Sequence, residues 1–586
     1  MITHRTFGWW CASAGCWCVA CVAELAGQWR LLTPPPLPYF GQPAVSLVMA
    51  AYLCCGLALV PVILAIRAGI VRWVLLLAPP VFLGAAGLLF PEGGLTGPRG
   101  ALLASGVLLA AAAAAGVLRR RTPSPLLGLS VFLVVAPLAL SLRERPTAPQ
   151  IPADAPLRRN LVLVTLDTLR PDHLGLVGYP RATSPGLDSL AATGTLFTTA
   201  YAPAPSTSPS HASILTGVYP SAHGVRRNGW PLGAQAATLT EALASAGYRT
   251  GGVVSVAHLA GGFGWSRGFS WFHDRGRLDG LFPYSGARII RMILRIMPME
   301  FSCRAEVSVS RALAWLQRID EPFFLWIHLW DPHDPYAPPP PYDTMFTGQI
   351  PVPEGSGYEA SQVSTWVNGY DGEIRYADDQ LGRLWRFLRD RGLDSRTVVV
   401  ALSDHGESLG ERSYQGHSIL LYDEQVRVLF IMAGPNIEPA RISVPVSLVD
   451  VMPTVLAALG LPPAWPVDGR PLLSPDLPAF PVRFDVDMWG FHGRGVRLGE
   501  WKLAAYDRVN PAHRGFAMRP GPLEFLSGTE LYDVDVDTAE IANLATSAPD
   551  QVAALAELLG SGERGGASVP LTPAIERALR SLGYVE

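Results

Sequence analysis

Cysteine is nearly missing from most of this 586-residue chain: Cys11, Cys16, Cys18, Cys21, Cys54 and Cys55 cluster near the start, and only Cys303 lies beyond them. A disulfide within the long remainder is therefore excluded, and the early six, set in apolar runs, read as small packing residues. Charge is sparse as well. Only 16% of residues are Asp, Glu, Lys or Arg, and 46 basic against 49 acidic side chains leave a net charge of -3. No basic stripe stands out, which argues against nucleic acid as a partner. Internal repeats are also absent, and the single biased tract, Ala110 to Ala115, suits a helix.

Apolar sequence is what the chain has in excess, at 49% hydrophobic residues, and the excess sits at the N-terminus. Runs at about 7–25, 44–66, 73–90, 101–118 and 126–140 are nearly free of charge. Most approach the roughly 17 to 25 residues of a membrane-spanning helix, so residues 1–142 are predicted to form a multi-pass transmembrane region of about five helices. Arg5, Arg67, Arg72, Arg119, Arg120 and Arg121 fall in loops on one side, against Arg30 and Arg99 on the other. The positive-inside bias then puts everything after residue 142 outside the cytoplasm, in the manner of a bacterial inner-membrane protein facing the periplasm or exterior. Arg143 and Arg145 on the outer flank oppose this mildly. Reading 7–25 as a cleaved signal peptide leaves four spans and the same final side.

Residues 143–157 carry Pro146, Pro149, Pro152 and Pro156 among Ala and Thr, the composition of a semi-rigid spacer. Beyond it, short apolar runs alternate with helical patterns. Strands are predicted at 161–166, 250–256, 323–329, 397–402 and 428–432, and helices at 187–192, 238–246, 307–318, 376–391 and 448–459. The alternation implies an α/β sandwich around a largely parallel sheet over 158–480. Short strands at 482–486, 495–498 and 501–506, then 531–532 and a final helical region, read as a smaller α+β subdomain over 481–586.

The chemistry-bearing residues stand where such sheets place ligands, past the carboxyl ends of strands. Asp167 follows the first strand and Asp404-His405 a later one, so the expectation is that they converge on one cation. A divalent ion held by them and by the Thr207 oxygen would make that hydroxyl a nucleophile and neutralise charge on an ester oxygen. Thr207 begins the run Thr207-Ser208-Pro209-Ser210-His211, where a helix start would aim free N–H groups at an anion. Taken alone, a Thr at this place is a simple N-cap, Asp167 a turn residue and Asp-His-Gly an ordinary turn.

Joined in order, these pieces resemble the sulfatase family of the alkaline phosphatase superfamily over about 160–544. The resemblance is carried by Leu166-Asp167-Thr168-Leu169-Arg170-Pro171-Asp172-His173, the Thr207 run with Leu215-Thr216-Gly217, and His223-Gly224-Val225. It continues through Trp330-Asp331-Pro332-His333-Asp334-Pro335-Tyr336, Ser403-Asp404-His405-Gly406-Glu407, Gly416-His417-Ser418 and Leu531-Tyr532-Asp533. It implies an alkaline-phosphatase-like fold, Asp167, Asp404 and His405 as metal ligands, and Thr207 as ligand and nucleophile. By the same resemblance Asn228, 21 residues after Thr207, holds a nonbridging oxygen of the substrate, and His333 and His417 bind substrate or protonate the leaving group. His258 lies near a family Lys-x-His pair whose Lys is absent; it and His211 are further substrate-binding candidates.

The departures are informative. Thr207 replaces the Cys or Ser that becomes formylglycine, and a secondary alcohol yields no aldehyde, so that cofactor is excluded. His211 replaces the usual Arg, and Thr168 a second Asp. One divalent ion is expected, with Zn or Mn suited to the mixed oxygen and nitrogen set and Ca less so; Asp331 and Asp334 are the candidates for any extra ligand. The function expected is a membrane-anchored hydrolase of sulfate or phosphate esters. A transferase of phosphoglycerol or phosphoethanolamine groups to envelope lipids or polymers is the alternative, and a nonenzymatic sensor or binding module the third reading.

Overall fold

The computed structural model describes residues 159–274, 303–319, 322–463, 465–474, 476–488, 491–507 and 528–560. The expected transmembrane region and the spacer lie outside the described residues; among those described, no helix is long and apolar enough to cross a membrane.

The first half of the catalytic region contains β1 (Asn160–Leu166), α1 (Pro185–Ala192), β2 (Thr195–Phe197), α2 (Thr207–Thr216), α3 (Leu239–Ser245), β3 (Arg249–Val254) and β4 (Trp271–Asp274). The second half adds α4 (Ala305–Leu316), β5 (Phe323–Leu329), α5 (Ala360–Asp390), β6 (Thr397–Ser403), β7 (Phe430–Ala433), β8 (Ala440–Ile442) and α6 (Val451–Ala458). The eight strands form one sheet in the order β8-β2-β7-β6-β1-β5-β3-β4. It is parallel except at β7, which runs antiparallel to both neighbours.

Strand side chains alternate between the two faces, as the period of two requires, and each face has its own core. Leu161, Leu163, Phe324, Trp326, Val398 and Val400 pack with α2, α3 and α6. Val162, Val164, Leu325, Ile327, Val399 and Ala401 pack with α1, α4 and α5. The result is the expected α/β/α sandwich, with β1 central and buried along its whole length.

Helix α5 departs from expectation, starting 16 residues before the predicted 376. Gly369 and Gly372 weaken the helical pattern there, and packing explains both. A Cβ at Gly372 would lie 2.6 Å from the carbonyl of Tyr342, and one at Gly369 2.9 Å from that of Tyr336. The glycines let the loop after β5 lie against the helix, so tertiary contact overrides local propensity. The predicted helix at 448–459 is likewise a 3-10 turn, Leu448–Asp450, leading into α6, with Ser447 and Asp450 forming a capping box.

After the sandwich come β9 (Val482–Met488), β10 (Phe491–Leu498), β11 (Trp501–Tyr506) and β12 (Gly528–Asp533), an antiparallel meander, and then α7 (Pro549–Gly560). Strand β9 alternates buried and half-buried residues, and its inner face joins Tyr201, Ile419 and Leu421 in one apolar cluster. Lys502, 1% exposed, reaches through this contact to Asp423 at 2.6 Å and Glu540 at 2.8 Å.

Candidate active site

The adjacent central strands β1 and β6 bring the distant acids together. Asp167 follows β1 and Asp404 follows β6; Asp167 N–H bonds the carbonyl of Leu329 at 2.9 Å and Asp404 N–H that of Leu166 at 3.4 Å. Next to Asp167, Thr168 is held at φ 57°, a costly conformation for a β-branched residue. There its N–H donates to Asp404 Oδ1 at 3.2 Å, and His405 N–H donates to the same oxygen at 2.9 Å. Asp404 Oδ1 is thus occupied, and Oδ2 is left facing inward.

The tautomer of His405 follows from its bonds. Its Nδ1 lies 2.8 Å from the carbonyl of Gly406, which can only accept, so the proton sits on Nδ1 and the Nε2 lone pair is bare. That Nε2 faces Thr207 Oγ1 at 3.3 Å, Asp167 Oδ1 at 3.6 Å and Asp404 Oδ2 at 3.7 Å. Four lone-pair-bearing atoms therefore converge in a fully buried space.

Thr207 opens the first turn of α2 after the cap residue Ser206, whose side chain makes no capping bond. Three bonds fix this turn. Ser210 Oγ donates to the carbonyl of Asp404 at 2.6 Å, Ser208 N–H donates to Asn228 Oδ1 at 2.8 Å, and Gly229 N–H donates to Ser208 Oγ at 3.3 Å. With Oδ1 engaged, the NH2 end of the Asn228 amide remains to donate elsewhere.

A divalent cation fits this arrangement. Both oxygens of Asp167 and Oδ2 of Asp404 are buried without a hydrogen-bond partner, an arrangement costly for carboxylates unless a cation satisfies them. Burial, with the charges of Asp404 and Glu407, drives the Asp167 carboxyl well above its ordinary range. Burial likewise pushes Asp404 up to about 6 and His405 down to about 4. Asp167, Asp404 and His405 offer ligand atoms within 4.8 Å of one another.

The histidines sort into two groups. His333 and His417 meet Nε2 to Nε2 at 3.0 Å, and the His417 ring centroid is 4.5 Å from that of His405. His333 also bonds the carbonyl of Asp334 through Nδ1 at 2.5 Å and stacks on Trp330. The pair thus lies beside His405, which in turn faces Thr207. His258 lies buried beside the same group, and burial lowers it to about 3.

His211 does not stand where a substrate-binding side chain would. It is fully buried, Nδ1 bonds the carbonyl of Thr207 at 2.8 Å and Nε2 bonds Thr165 Oγ1 at 2.9 Å. Both ring nitrogens are used inside the protein, so His211 is a strut beneath the Thr207 turn. His223 is equally internal, tied to Ser213 and Val225.

The extra-ligand candidates Asp331 and Asp334 have partners of their own. Asp331 accepts from Ala305 N–H at 2.7 Å and caps α4 beside Arg304, while Asp334 accepts from Gln415 at 3.4 Å. Instead the structure brings up Glu407 and His328. Glu407 accepts the Tyr336 hydroxyl at 2.7 Å and shares a ligand-like group with His333 and His417. His328 carries the one ionisable side chain in the apolar strand Phe323–Leu329, a signal that such a residue must have a buried partner.

Comparison with known proteins gives the family of this chain. The family model described as Sulfatase matches residues 159–461, just over half of the chain. The chain is 28% identical over 349 residues to the ulvan-active sulfatase of Formosa agariphila, covering 56% of this chain and 66% of that protein. It is also 28% identical to the multifunctional alkaline phosphatase superfamily protein PehA of Trinickia caryophylli, over 54% of this chain and 76% of that one. Among solved structures, the phosphonate monoester hydrolase of Agrobacterium radiobacter is similar in fold. Its TM-score is 0.56 at 22% identity, over 71% of this chain and 100% of that chain.

Proposed function

The chain belongs to the sulfatase family of ester hydrolases, and from that premise we propose that it cleaves phosphate or sulfate esters with the Thr207 hydroxyl as nucleophile. One observation carries this reading: Thr207 Oγ1 faces the bare Nε2 of His405 at 3.3 Å, beside Asp167 Oδ1 and Asp404 Oδ2, buried carboxylate oxygens without a hydrogen-bond partner. Asp167, Asp404, His405 and Thr207 would hold a divalent ion, whose charge would lower the pKa of the hydroxyl and offset that on the ester oxygen. The carboxylate and imidazole donors suit Zn or Mn.

The chain's own residues supply the rest. The bonds at Ser208 and Ser210 hold the Thr207 turn in place. The Asn228 amide donates to a nonbridging oxygen, where the benefit is greatest as charge develops. Loss of the hydroxyl proton to solvent gives the Thr207 alkoxide, whose attack forms an Oγ–P or Oγ–S bond and breaks the bond to the leaving alkoxide. The leaving oxygen, hydrogen-bonded by the His333–His417 pair that burial keeps neutral, takes its proton from solvent. Discharge of the threonine ester favours phosphorus as the substrate centre. Water attacks phospho-threonine at phosphorus, whereas the hemiacetal collapse open to formylglycine enzymes has no counterpart here.

The N-terminal apolar runs support a membrane anchor that places this site on the outer side. A lipid-side location would also suit transfer of a phosphorus headgroup to an alcohol acceptor, the second reading. The complete cation-binding set speaks for catalysis over a purely binding role.

The test is to incubate the detergent-purified full chain, supplied with Zn or Mn, with aryl sulfate, phosphate monoester and phosphodiester substrates. Release of the aryl alcohol by wild type and its loss in Thr207→Ala are expected. Equal release by both would refute the proposal, and release only with an added lipid alcohol would favour the transferase.

A further inference from the structure

His328 lies on β5 directly beside Thr165 of β1, two residues short of Asp167, and is fully buried. Its Nδ1 is 2.7 Å from Ser255 Oγ, just past the end of β3. Its Nε2 lies 3.4 Å from Asp167 Oδ2, too poorly aligned for a hydrogen bond as the ring stands, and has no other hydrogen-bond partner. His405 approaches the opposite oxygen of that carboxylate, Oδ1. One buried histidine therefore faces each oxygen of Asp167.

The two histidines differ in which nitrogen holds the proton. His405 presents a bare Nε2, fixed by the Gly406 carbonyl. His328 has a hydroxyl on its Nδ1, and a hydroxyl can donate or accept. A bare His328 Nε2 would set its lone pair against the carboxylate in a dry site, whereas Nε2–H would satisfy that oxygen. Ser255 O–H then donates to Nδ1.

We propose that Ser255 and His328 are positioning residues for the cation site, a relay in which Ser255 O–H fixes His328 so that its Nε2–H holds Oδ2 of Asp167 and turns Oδ1 toward Thr207 and His405. The inference rests on the reading that Asp167 helps bind a divalent ion. Ligating carboxylates held from behind in this way lose roughly 10- to 100-fold in metal affinity when the outer partner is removed.

The experiment measures Zn and Mn affinity of the chelator-stripped full chain by competition with a chromophoric chelator, alongside the melting temperature of each metal-free variant. His328→Ala is expected to weaken binding about 10- to 100-fold. His328→Gln, whose amide N–H can replace the ring donor, should recover most of it. Ser255→Ala should fall between and keeps the test alive if His328→Ala does not fold. Wild-type affinity in His328→Ala or in Ser255→Ala would overturn the relay. So would a Gln variant as weak as Ala, because that result makes the imidazole itself a ligand. The parent reading fails separately, if wild type binds neither ion or if Asp404→Asn binds as tightly as wild type.

Discussion

Glu540 is a buried and Asp423 a mostly buried carboxylate, each with a cation built in beside it, whereas Asp167 and Asp404 are fully buried carboxylates that face histidines and a hydroxyl. Lys502 meets the first pair at 2.6 and 2.8 Å and pins β11 of the C-terminal sheet against the catalytic region. Despite burial, Lys502 keeps the Asp423 carboxyl below its ordinary range, although burial leaves Glu540 at about 7. At the second pair both carboxyls are driven upward. The same chain compensates buried charge where the need is structural and leaves it open where an external ion would complete the site. That contrast separates a stability feature from a functional one more sharply than burial alone.

Breaking the functional side should have the largest effect. Thr207→Ala should lower kcat by about 1,000-fold or more while leaving the melting temperature within about 2 °C of wild type, measured by ester hydrolysis and calorimetry. Breaking the structural side should do the reverse. Lys502→Met strands Asp423 and Glu540 without a cation, and a loss of about 3 to 5 kcal/mol is expected in denaturant unfolding. Its bound-metal content should stay at the wild-type level.

Removing the ion sharpens the contrast further. Chelation should cost about 3 to 4 kcal/mol of stability if the ion is present at 100 to 1,000 times its dissociation constant. The loss should vanish in Asp404→Asn and persist in Lys502→Met.

A third buried acid offers a smaller test. Burial and the charge of Asp331 raise Glu373 to about 8. Because its folded pKa lies above the unfolded value, its contribution is complete below about pH 4.5 and fades as pH rises through about 8. Glu373→Gln should therefore gain on wild type by about 3 °C in melting temperature between pH 5 and pH 9. The smallest effect is expected at the capping box of α3, where Thr238 accepts from Glu241 N–H at 3.2 Å. Thr238→Ala should cost about 1 kcal/mol and leave activity intact.

Much of the catalytic region was legible because its signals are local. The β1 run from Leu161 to Leu166 is apolar but for Thr165, and Asp167 and Asp404-His405 each stand directly past a strand. What escaped depends on partners distant in the chain. Nothing near His211 announces that Thr165 will take its second nitrogen, so a side chain at a substrate-like position proved internal. His328 and Ser255, 73 residues apart, meet only because β3 and β5 are neighbours. Asp331 looked like a spare ligand because its role as a cap for α4 depends on a helix start 26 residues earlier. Likewise the helix expected from 376 starts at Ala360, because Gly369 and Gly372 lie under a loop that only the fold brings against them.

Catalysis through Thr207 requires that it take the substrate group onto its own oxygen. Acid quenching of the metal-supplied protein during turnover of an aryl phosphodiester, followed by peptide mass spectrometry, reads that event directly. A phosphoryl ester on the peptide starting at Thr207, absent from Thr207→Ala, is the predicted result. Turnover at the wild-type rate in Thr207→Ala, or an adduct on another residue that discharges at the turnover rate, would contradict it.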